Sequence, residues 1–89
     1  MSFLNNKSIL ITGATGFFGV NCLNFLLNNY KLQKVVVYSR DEMKQYELSQ
    51  KFSEENYPIR YFLGDVRDKE RLIRACSNID IIIHAAAMK

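Results

Sequence analysis

The stretch SILITGATGFFG, residues Ser8–Gly19, decides the fold. Its first five residues form an apolar run rich in β-branched side chains, which predicts a buried strand over residues 8–12. Glycines follow at positions 13, 16 and 19, and a helical apolar periodicity then continues to Asn28, which predicts a helix over residues 16–28. A buried strand, a glycine-rich turn and a helix form the opening unit of a fold in which strands and helices alternate.

The alternation continues along the rest of the chain. Further strands are predicted over residues 34–38, 59–63 and 79–84, and helices over residues 41–52 and 68–76, with Asp68 as an N-cap. Nearly all-apolar strands are typical of strands covered on both faces. Strands joined by helical crossovers run parallel with right-handed connections. The predicted fold class is therefore α/β, the N-terminal part of a Rossmann-type doubly wound parallel sheet with strand order 3-2-1-4.

Each predicted helix has an apolar side that we expect to face the sheet. In chain order, the inward residues predicted are Phe18, Cys22, Phe25, Leu26, Met43, Tyr46, Leu48, Leu72, Ile73 and Cys76. The two cysteines lack CxxC or Cys/His spacing, so we expect reduced thiols in the core and no metal site.

Composition excludes several classes of protein. With 48% hydrophobic and 24% charged residues among 89, the chain is typical of one small globular domain. No apolar run approaches the roughly 18 residues of a membrane span, and the first seven residues lack the apolar stretch of a signal peptide, so we expect a cytoplasmic protein that does not enter a membrane. The net charge of +3 is spread along the chain rather than clustered, which argues against nucleic-acid binding.

The glycine-rich turn has the context of a dinucleotide-binding loop, because it follows a strand and opens a helix. We expect Gly13 to allow the sharp turn, Gly16 to let the backbone approach a pyrophosphate, and Gly19 to let the helix pack closely on the sheet. The amides that would offer donors and the positive helix end to the anion belong to Thr15, Gly16, Phe17 and Phe18. The alternative is a tight turn that binds nothing.

The second predicted strand ends at Tyr38-Ser39-Arg40-Asp41, where a site that prefers NAD usually carries an acidic side chain. Arg40 can pair with a 2′-phosphate, and Ser39 can donate its hydroxyl. The helix that begins at Asp41 would add free amides and the Lys44 ammonium. NADP is therefore favoured over NAD. The alternative is a solvated turn in which Arg40 pairs with a nearby Glu.

Two further turns belong to the same predicted site. Asp65 could accept a hydrogen bond from the adenine amino group while the Val66 backbone contacts the ring edge, or the pair could form an ordinary Asp turn. After the fourth strand, small residues from Ala85 onward would permit close approach to the pyrophosphate, and Lys89 would reach both the cofactor ribose and the substrate. His84 is expected to be a buried histidine at the strand end rather than a catalyst.

These segments carry a family resemblance. ILITGATGFFG, YSRDEMKQYE, YFLGDVRDKERL and IIIHAAAMK together resemble the N-terminus of extended short-chain dehydrogenase/reductases, and more narrowly the inverting UDP-N-acetylglucosamine 4,6-dehydratases of the polysaccharide-biosynthesis group. The glycine loop is common to the superfamily, whereas the other segments are narrower. The resemblance implies that NADP contacts Thr15, Gly16, Phe17, Phe18, Ser39, Arg40, Asp41, Glu42, Met43, Lys44, Asp65, Val66, Ala85 and Lys89. Relatives often have Ser where Phe17 stands, so a backbone contact there would survive and a hydroxyl contact would not.

The resemblance also implies a reaction. Such enzymes oxidise C4 of the sugar with NADP, eliminate water across C5 and C6, and return the hydride to C6 with inversion at C5, which requires acid and base groups. The family's Tyr-x-x-x-Lys comes after the point that Lys89 matches, so no catalytic residue is predicted in this segment, which would be inactive alone. Tyr30 and Lys34 have that spacing but fall at the wrong end of the sheet, and we interpret them as a coincidence.

We therefore expect residues 1–89 to form an NAD(P)-binding domain that continues beyond Lys89. An apolar strand over residues 79–88 would otherwise lie unprotected at the edge of the sheet. The complete protein would bind a UDP-sugar and form a homo-oligomer. The alternatives are the NADP-binding part of a nucleotide-sugar epimerase or reductase, and a non-catalytic nucleotide-binding module. A phosphoacceptor receiver domain is disfavoured because Thr12 and Gly13 stand where it needs acidic residues.

Overall fold

The structure, a computed structural model, describes residues 4–85. Strands and helices alternate, and their bounds are β1 Ser8–Thr12, α1 Phe17–Asn29, β2 Lys34–Ser39, α2 Glu42–Lys51, β3 Ile59–Leu63, α3 Lys69–Ala75 and β4 Ile81–His84. Each predicted element is confirmed, and no bound differs from its prediction by more than two residues.

The strands form one parallel sheet in the order β3-β2-β1-β4, which confirms the predicted fold class and topology. Ile9 of β1 lies opposite Val35 of β2 on one side and Ile81 of β4 on the other. Because all the strands run the same way, their carboxyl ends meet at a single edge of the sheet. The turns that follow β1, β2 and β3 are therefore neighbours in space.

The core has two layers, one on each face of the sheet. Ile9, Ile11 and Val37 pack with residues of α1 and α2, whereas Leu10 and Val36 pack on the opposite face with residues of α3. This division follows from the alternation of side chains along a strand. All five residues of β1 are buried, so the central strand is covered on both faces, as its apolar sequence predicts.

The predicted inward side of α1 is confirmed for Leu26, which is buried, and for Cys22, which packs half-buried against the core, but it is wrong for Phe18 and Phe25. Gly19, Leu23 and Leu26 are the buried residues, whereas Phe18 and Phe25 are 65% and 56% exposed. The cause is Gly19, because a Cβ at this position would lie 2.3 Å from the Ala14 Cα. This close approach fixes Gly19 on the inner side, and the residues four and seven positions later turn inward with it.

The inward sides of α2 and α3 are confirmed at Leu48, Leu72 and Cys76 and need correction elsewhere. In α2 the buried residues are Gln45 and Leu48, while Met43 and Tyr46 are exposed. In α3 the buried residue is Ala75, with Leu72 and Cys76 half-buried beside it and Ile73 exposed. Gln45 turns inward because its amide finds the carbonyl oxygens of Val37, Ser39 and Phe62 at 3.2–3.4 Å.

The two cysteines are free thiols that are half-buried rather than fully in the core. Desolvation raises the pKa of the Cys22 thiol above its ordinary value. Within residues 4–85, none of the helices has the length and hydrophobicity that crossing a membrane requires, and His, Cys, Asp and Glu side chains form no group of three suited to a metal ion.

Candidate functional site

The turns at the carboxyl ends of β1, β2 and β3 enclose a cleft of about 420 Å³. It is lined by Gly13, Thr15, Tyr38, Ser39, Arg40, Asp41, Gly64, Asp65, Val66 and Arg67. Predicted site residues from all three turns are thus brought together at one place. Ligands of open α/β sheets bind at this edge, and the volume suits a small molecule.

A larger depression, of about 580 Å³, is lined by residues of α2 and β3 together with Glu54 and Arg71. Of the predicted site residues it contains only Glu42. We take the cleft as the candidate site, because the glycine-rich turn and predicted site residues from three turns line it, whereas the larger depression contains no residue of the glycine-rich turn.

The glycine-rich turn has the conformation that its sequence predicts. Gly13 has a φ of 73°, in the left-handed region that favours glycine. The Gly16 amide donates to the Gly13 carbonyl oxygen at 3.2 Å and closes the turn, while the Gly13 amide donates to the Tyr38 carbonyl oxygen at 3.4 Å. These bonds fix the turn beside the end of β2. They also correct one expectation, because the Gly16 amide is occupied within the turn instead of being free for an anion.

Gly16 and Gly19 differ in what requires them. A Cβ at Gly19 would overlap the Ala14 Cα and the Gly13 carbonyl oxygen, at 2.3 and 2.5 Å. The close packing is therefore against the turn itself, rather than against the sheet as expected. A Cβ at Gly16 would touch only the Gly13 oxygen at 3.7 Å, an ordinary contact, and the φ of Gly16 is −83°. Packing within residues 4–85 thus gives no reason for glycine at position 16, and its bare backbone leaves room for a ligand.

The N-terminus of α1 has no side-chain cap and directly follows Thr15, which lines the cleft; Gly16, Phe17 and Phe18 are not themselves among the lining residues. Gly16 is the N-cap, and the first turn contains no acidic residue. The first amides of a helix have no partner within it, so those of Phe17 and Phe18 remain available as donors at the positive end of the helix dipole. The side chains of Phe17 and Phe18 are 89% and 65% exposed.

The N-terminus of α2 is arranged differently. The Asp41 carboxylate accepts a hydrogen bond from the Lys44 amide at 3.0 Å, so this amide is not free for an anion as expected. The side chains of Glu42, Met43 and Lys44 are exposed and lie outside the cleft. Lys44 borders a separate depression that it shares with Thr15, which also lines the cleft.

Charged groups converge where β2 and β3 end. Asp65 Oδ2 accepts from Arg67 Nη2 at 2.8 Å and from Arg40 Nη1 at 3.4 Å, while Asp65 Oδ1 accepts from the backbone amide and Nε of Arg67 at 2.9 and 3.1 Å. The hydrogen bonds from Arg67, with a weaker contribution from Arg40, hold the pKa of Asp65 well below its ordinary value. Arg40 therefore pairs with Asp65, not with a Glu.

Residues that the sequence analysis missed hold this cleft together. The buried Tyr38 hydroxyl donates to the Asp65 carbonyl oxygen at 2.9 Å. Gly64 lies against the Tyr38 ring, where a Cβ would be 2.3 Å from the hydroxyl oxygen. The Gln45 amide nitrogen donates to the Ser39 hydroxyl at 3.0 Å. Of these residues, only Arg67 could have been found from the sequence, because an arginine two residues after Asp65 is close enough to bind its carboxylate. Tyr38 and Gly64 are far apart in the sequence and come into contact only in the folded chain.

The end of β4 completes the described part of the edge. Ala85 is buried, and its amide donates to the Thr12 carbonyl oxygen at 2.8 Å. His84 is exposed, not buried as expected, and its Nδ1 shares a hydrogen bond with the Thr12 hydroxyl. Lys89, the predicted cofactor and substrate contact, lies outside the described residues. Tyr30 and Lys34 lie at the opposite end, since Tyr30 caps α1 and Lys34 begins β2.

The chain matches the model of a family described as "Polysaccharide biosynthesis protein" over residues 9–89. The inverting UDP-N-acetylglucosamine 4,6-dehydratase of Campylobacter jejuni is 57% identical over 86 residues, which cover 96% of this chain and 25% of that protein. The UDP-glucose 4-epimerase of Rickettsia bellii is 36% identical over 87 residues, which cover 94% of this chain and 25% of that protein. The chain thus spans about a quarter of the length of these curated relatives.

Solved structures with the same fold include Pen from Bacillus thuringiensis, with a TM-score of 0.88 and 41% identity over 98% of this chain and 27% of that chain. An NADPH-bound carbonyl reductase from chicken fatty liver has a TM-score of 0.71 and 20% identity, over 89% of this chain and 36% of that chain. The second likeness concerns the fold alone.

Proposed function

The chain belongs to the polysaccharide biosynthesis protein family, and from this premise we propose that it is the NADP-binding part of a nucleotide-sugar 4,6-dehydratase that acts on a UDP-sugar. The observation that carries the proposal is the cleft at the carboxyl ends of β1, β2 and β3, where Gly13 and Thr15 of the turn that leads into the uncapped α1 lie together with Arg40. The 57% identity to an inverting UDP-N-acetylglucosamine 4,6-dehydratase supports the substrate class.

The residues around the cleft fit a dinucleotide. The pyrophosphate would lie against Gly16, where no side chain intervenes, and accept hydrogen bonds from the Phe17 and Phe18 amides. The 2′-phosphate would lie beside Ser39 and Arg40, and the adenine beside Asp65 and Val66, which line the same cleft. When bound, NADP supplies an acceptor and donor of hydride.

In the proposed reaction this chain binds and orients the cofactor. Gly13 holds the turn in its left-handed conformation, Gly19 brings α1 against that turn, and the positive end of α1 offsets the pyrophosphate charge. Met43, Lys44 and Ala85 would contribute contacts at the margins of the site, and Lys89 would contact the cofactor ribose and the sugar nucleotide. The acid and base groups would come from the part of the family's sequence that follows. We further propose a cytoplasmic homo-oligomer as the complete form.

A second candidate is the NADP-binding part of a UDP-sugar epimerase. The 36% identity to UDP-glucose 4-epimerase of Rickettsia bellii favours it, because both activities require a nicotinamide cofactor that oxidises C4 of the sugar. The two differ in product. Incubating the intact protein with UDP-N-acetylglucosamine and NADP should give a 4-keto sugar lighter by one water if it is a dehydratase, whereas a 4-epimer of unchanged mass would favour the second candidate.

Cofactor binding is tested by titrating the intact protein and its Arg40→Ala variant with NADPH and NADH. We expect the variant to lose about tenfold or more in NADPH affinity and about twofold or less in NADH affinity, because only NADPH carries the phosphate that Arg40 can bind. Arg74→Ala is the matched control, since it removes an equal charge from an exposed position in the last turn of α3. Equal losses for the two cofactors would overturn the role of Arg40.

A further inference from the structure

Asp65 is shared unequally between two arginines at the mouth of the cleft. Arg67 engages both of its carboxylate oxygens, through Nε at 3.1 Å and Nη2 at 2.8 Å, and adds its backbone amide at 2.9 Å. Arg40 reaches only Oδ2, through a single contact of 3.4 Å. A carboxylate offers about four acceptor positions, and these four donors fill them. Arg40 holds the weakest of the four positions.

The geometry makes Arg40 the partner that can leave. Its side chain is 74% exposed, and a single long contact between exposed charges contributes little to stability. Only Nη1 of its guanidinium touches Asp65, which leaves the other donors of that planar group available. A phosphate monoester carries more negative charge than a carboxylate and suits a two-pronged contact with arginine. A 2′-phosphate placed beside Arg40 would therefore compete successfully with Asp65.

Arg67 decides whether Arg40 can move from Asp65 to the 2′-phosphate. Without it, Asp65 would present an uncompensated carboxylate close to the incoming phosphate, and the same carboxylate would compete fully for Arg40. With it, Asp65 stays neutralised and fixed after Arg40 leaves, and one acceptor position on Oδ2 becomes vacant for the adenine amino group. Resting on the proposed function, we propose that Arg67 is a positioning residue for 2′-phosphate recognition: it holds Asp65 while Arg40 moves from that carboxylate to the phosphate.

The test uses two small probes that differ only in the 2′-phosphate, adenosine 2′,5′-bisphosphate and adenosine 5′-monophosphate. Their affinities are measured by calorimetric titration of the intact protein and of its Arg67→Ala variant. We expect Arg67→Ala to lower the affinity for the bisphosphate about tenfold and that for the monophosphate about twofold or less. Arg67→Lys keeps the charge without the fork, and it should retain the bisphosphate affinity to within about threefold.

A rescue separates this role from a merely structural one. Asp65→Asn in the Arg67→Ala background removes the competing charge while keeping a side-chain oxygen, so it should restore most of the preference for the bisphosphate. Arg74→Ala, which removes an equal charge from the far end of α3, should leave the ratio of the two affinities unchanged.

Two results would overturn the proposal. If Arg67→Ala lowers both affinities by the same factor, or changes neither, Arg67 does not act on the 2′-phosphate. Failure of the proposed function has a different signature, since the unsubstituted protein itself would then bind the bisphosphate no more tightly than the monophosphate, and the inference would fall with it.

Discussion

The N-terminus of α1 differs from those of α2 and α3. Asp41 caps α2 through the Lys44 amide and Asp68 caps α3 through the Arg71 amide, and an acidic residue stands in the first turn of each helix. α1 begins at Gly16 with neither a side-chain cap nor an acidic first turn. Each helix N-terminus carries a partial positive charge of about half an elementary charge. The chain compensates that charge in α2 and α3 and leaves it uncompensated in α1, which follows the glycine-rich turn.

The contrast shows that α1 is held by packing rather than by its cap. An aspartate N-cap contributes about 1 kcal/mol relative to alanine but only a few tenths of a kcal/mol relative to glycine, and α1 has the glycine. It buries Gly19, Leu23 and Leu26 against the central strand and the turn that follows it. The stabilising contacts of α1 and its free amides thus involve different residues, and substitutions can separate them.

The largest effect on stability is expected from alanine at Gly19, and alanine at Gly16 is the comparison. Gly19→Ala should lower the free energy of unfolding by about 3 kcal/mol, because its Cβ would overlap backbone atoms that cannot move independently. Gly16→Ala should change stability by about 0.5 kcal/mol or less, since its Cβ meets only one atom at ordinary distance, yet it should weaken NADPH binding. Denaturant unfolding and NADPH titration of both variants check this, and similar stability losses at both positions would contradict it.

Giving α1 an aspartate N-cap, as α2 and α3 have, should keep the protein stable but weaken cofactor binding. Gly16→Asp fits the extended backbone at this position, where ψ is 175°, and it should leave stability unchanged or raise it by a few tenths of a kcal/mol. The new carboxylate would occupy the amides proposed for the pyrophosphate, so NADPH affinity should fall about thirtyfold, or about 2 kcal/mol. Gly16→Asn is the neutral control. Unchanged affinity in Gly16→Asp would exclude this helix end from the site.

Removing the N-cap of α3 should lower stability but leave cofactor binding unchanged. Asp68→Ala should cost about 1 kcal/mol of stability, because the Arg71 amide loses its partner. NADPH affinity should stay within about twofold, since Asp68 does not line the cleft. Asp68→Ser, which can still cap, should recover most of the stability. A binding loss in Asp68→Ala as large as that in Gly16→Asp would erase the distinction between the helix ends.

A smaller effect on stability is expected at Tyr61, which lies outside the cleft. Tyr61 donates its hydroxyl to the Phe52 carbonyl oxygen at 2.6 Å, and burial raises its pKa from 10.0 to about 12. Between these values the unfolded chain has lost this proton and the folded chain keeps it, so stability falls as the pH rises. Tyr61→Phe should make that alkaline decline shallower; the buried Tyr38, whose pKa is also raised, retains a share of it.

The strands and their order could be predicted because they depend on local features. Residues 8–12, 34–38 and 59–63 are apolar runs bounded by turn-forming residues, and helical crossovers restrict the connections to parallel ones. The same local features and parallel connections predict the glycine-rich turn, the Asp68 cap and the position of Arg40 and Asp65 at one edge of the sheet.

The rotation of each helix could not be predicted from apolar periodicity. α1 is apolar on more than one side, and the choice between Phe18 and Leu23 is made by the contact of Gly19 with the turn. In α2 the inward position belongs to Gln45, a polar residue whose partners are carbonyl oxygens that exist only once the sheet has formed. The unequal sharing of Asp65 has the same origin, since distances of 2.8 and 3.4 Å depend on the folded turn.

The most direct test is a crystal structure of the intact protein with NADP bound. We expect the pyrophosphate within hydrogen-bond distance of the Phe17 and Phe18 amides, the 2′-phosphate on Arg40, and Arg67 still paired with Asp65. A cofactor whose pyrophosphate lies away from the N-terminus of α1, or whose 2′-phosphate leaves Arg40 on Asp65, would contradict this expectation.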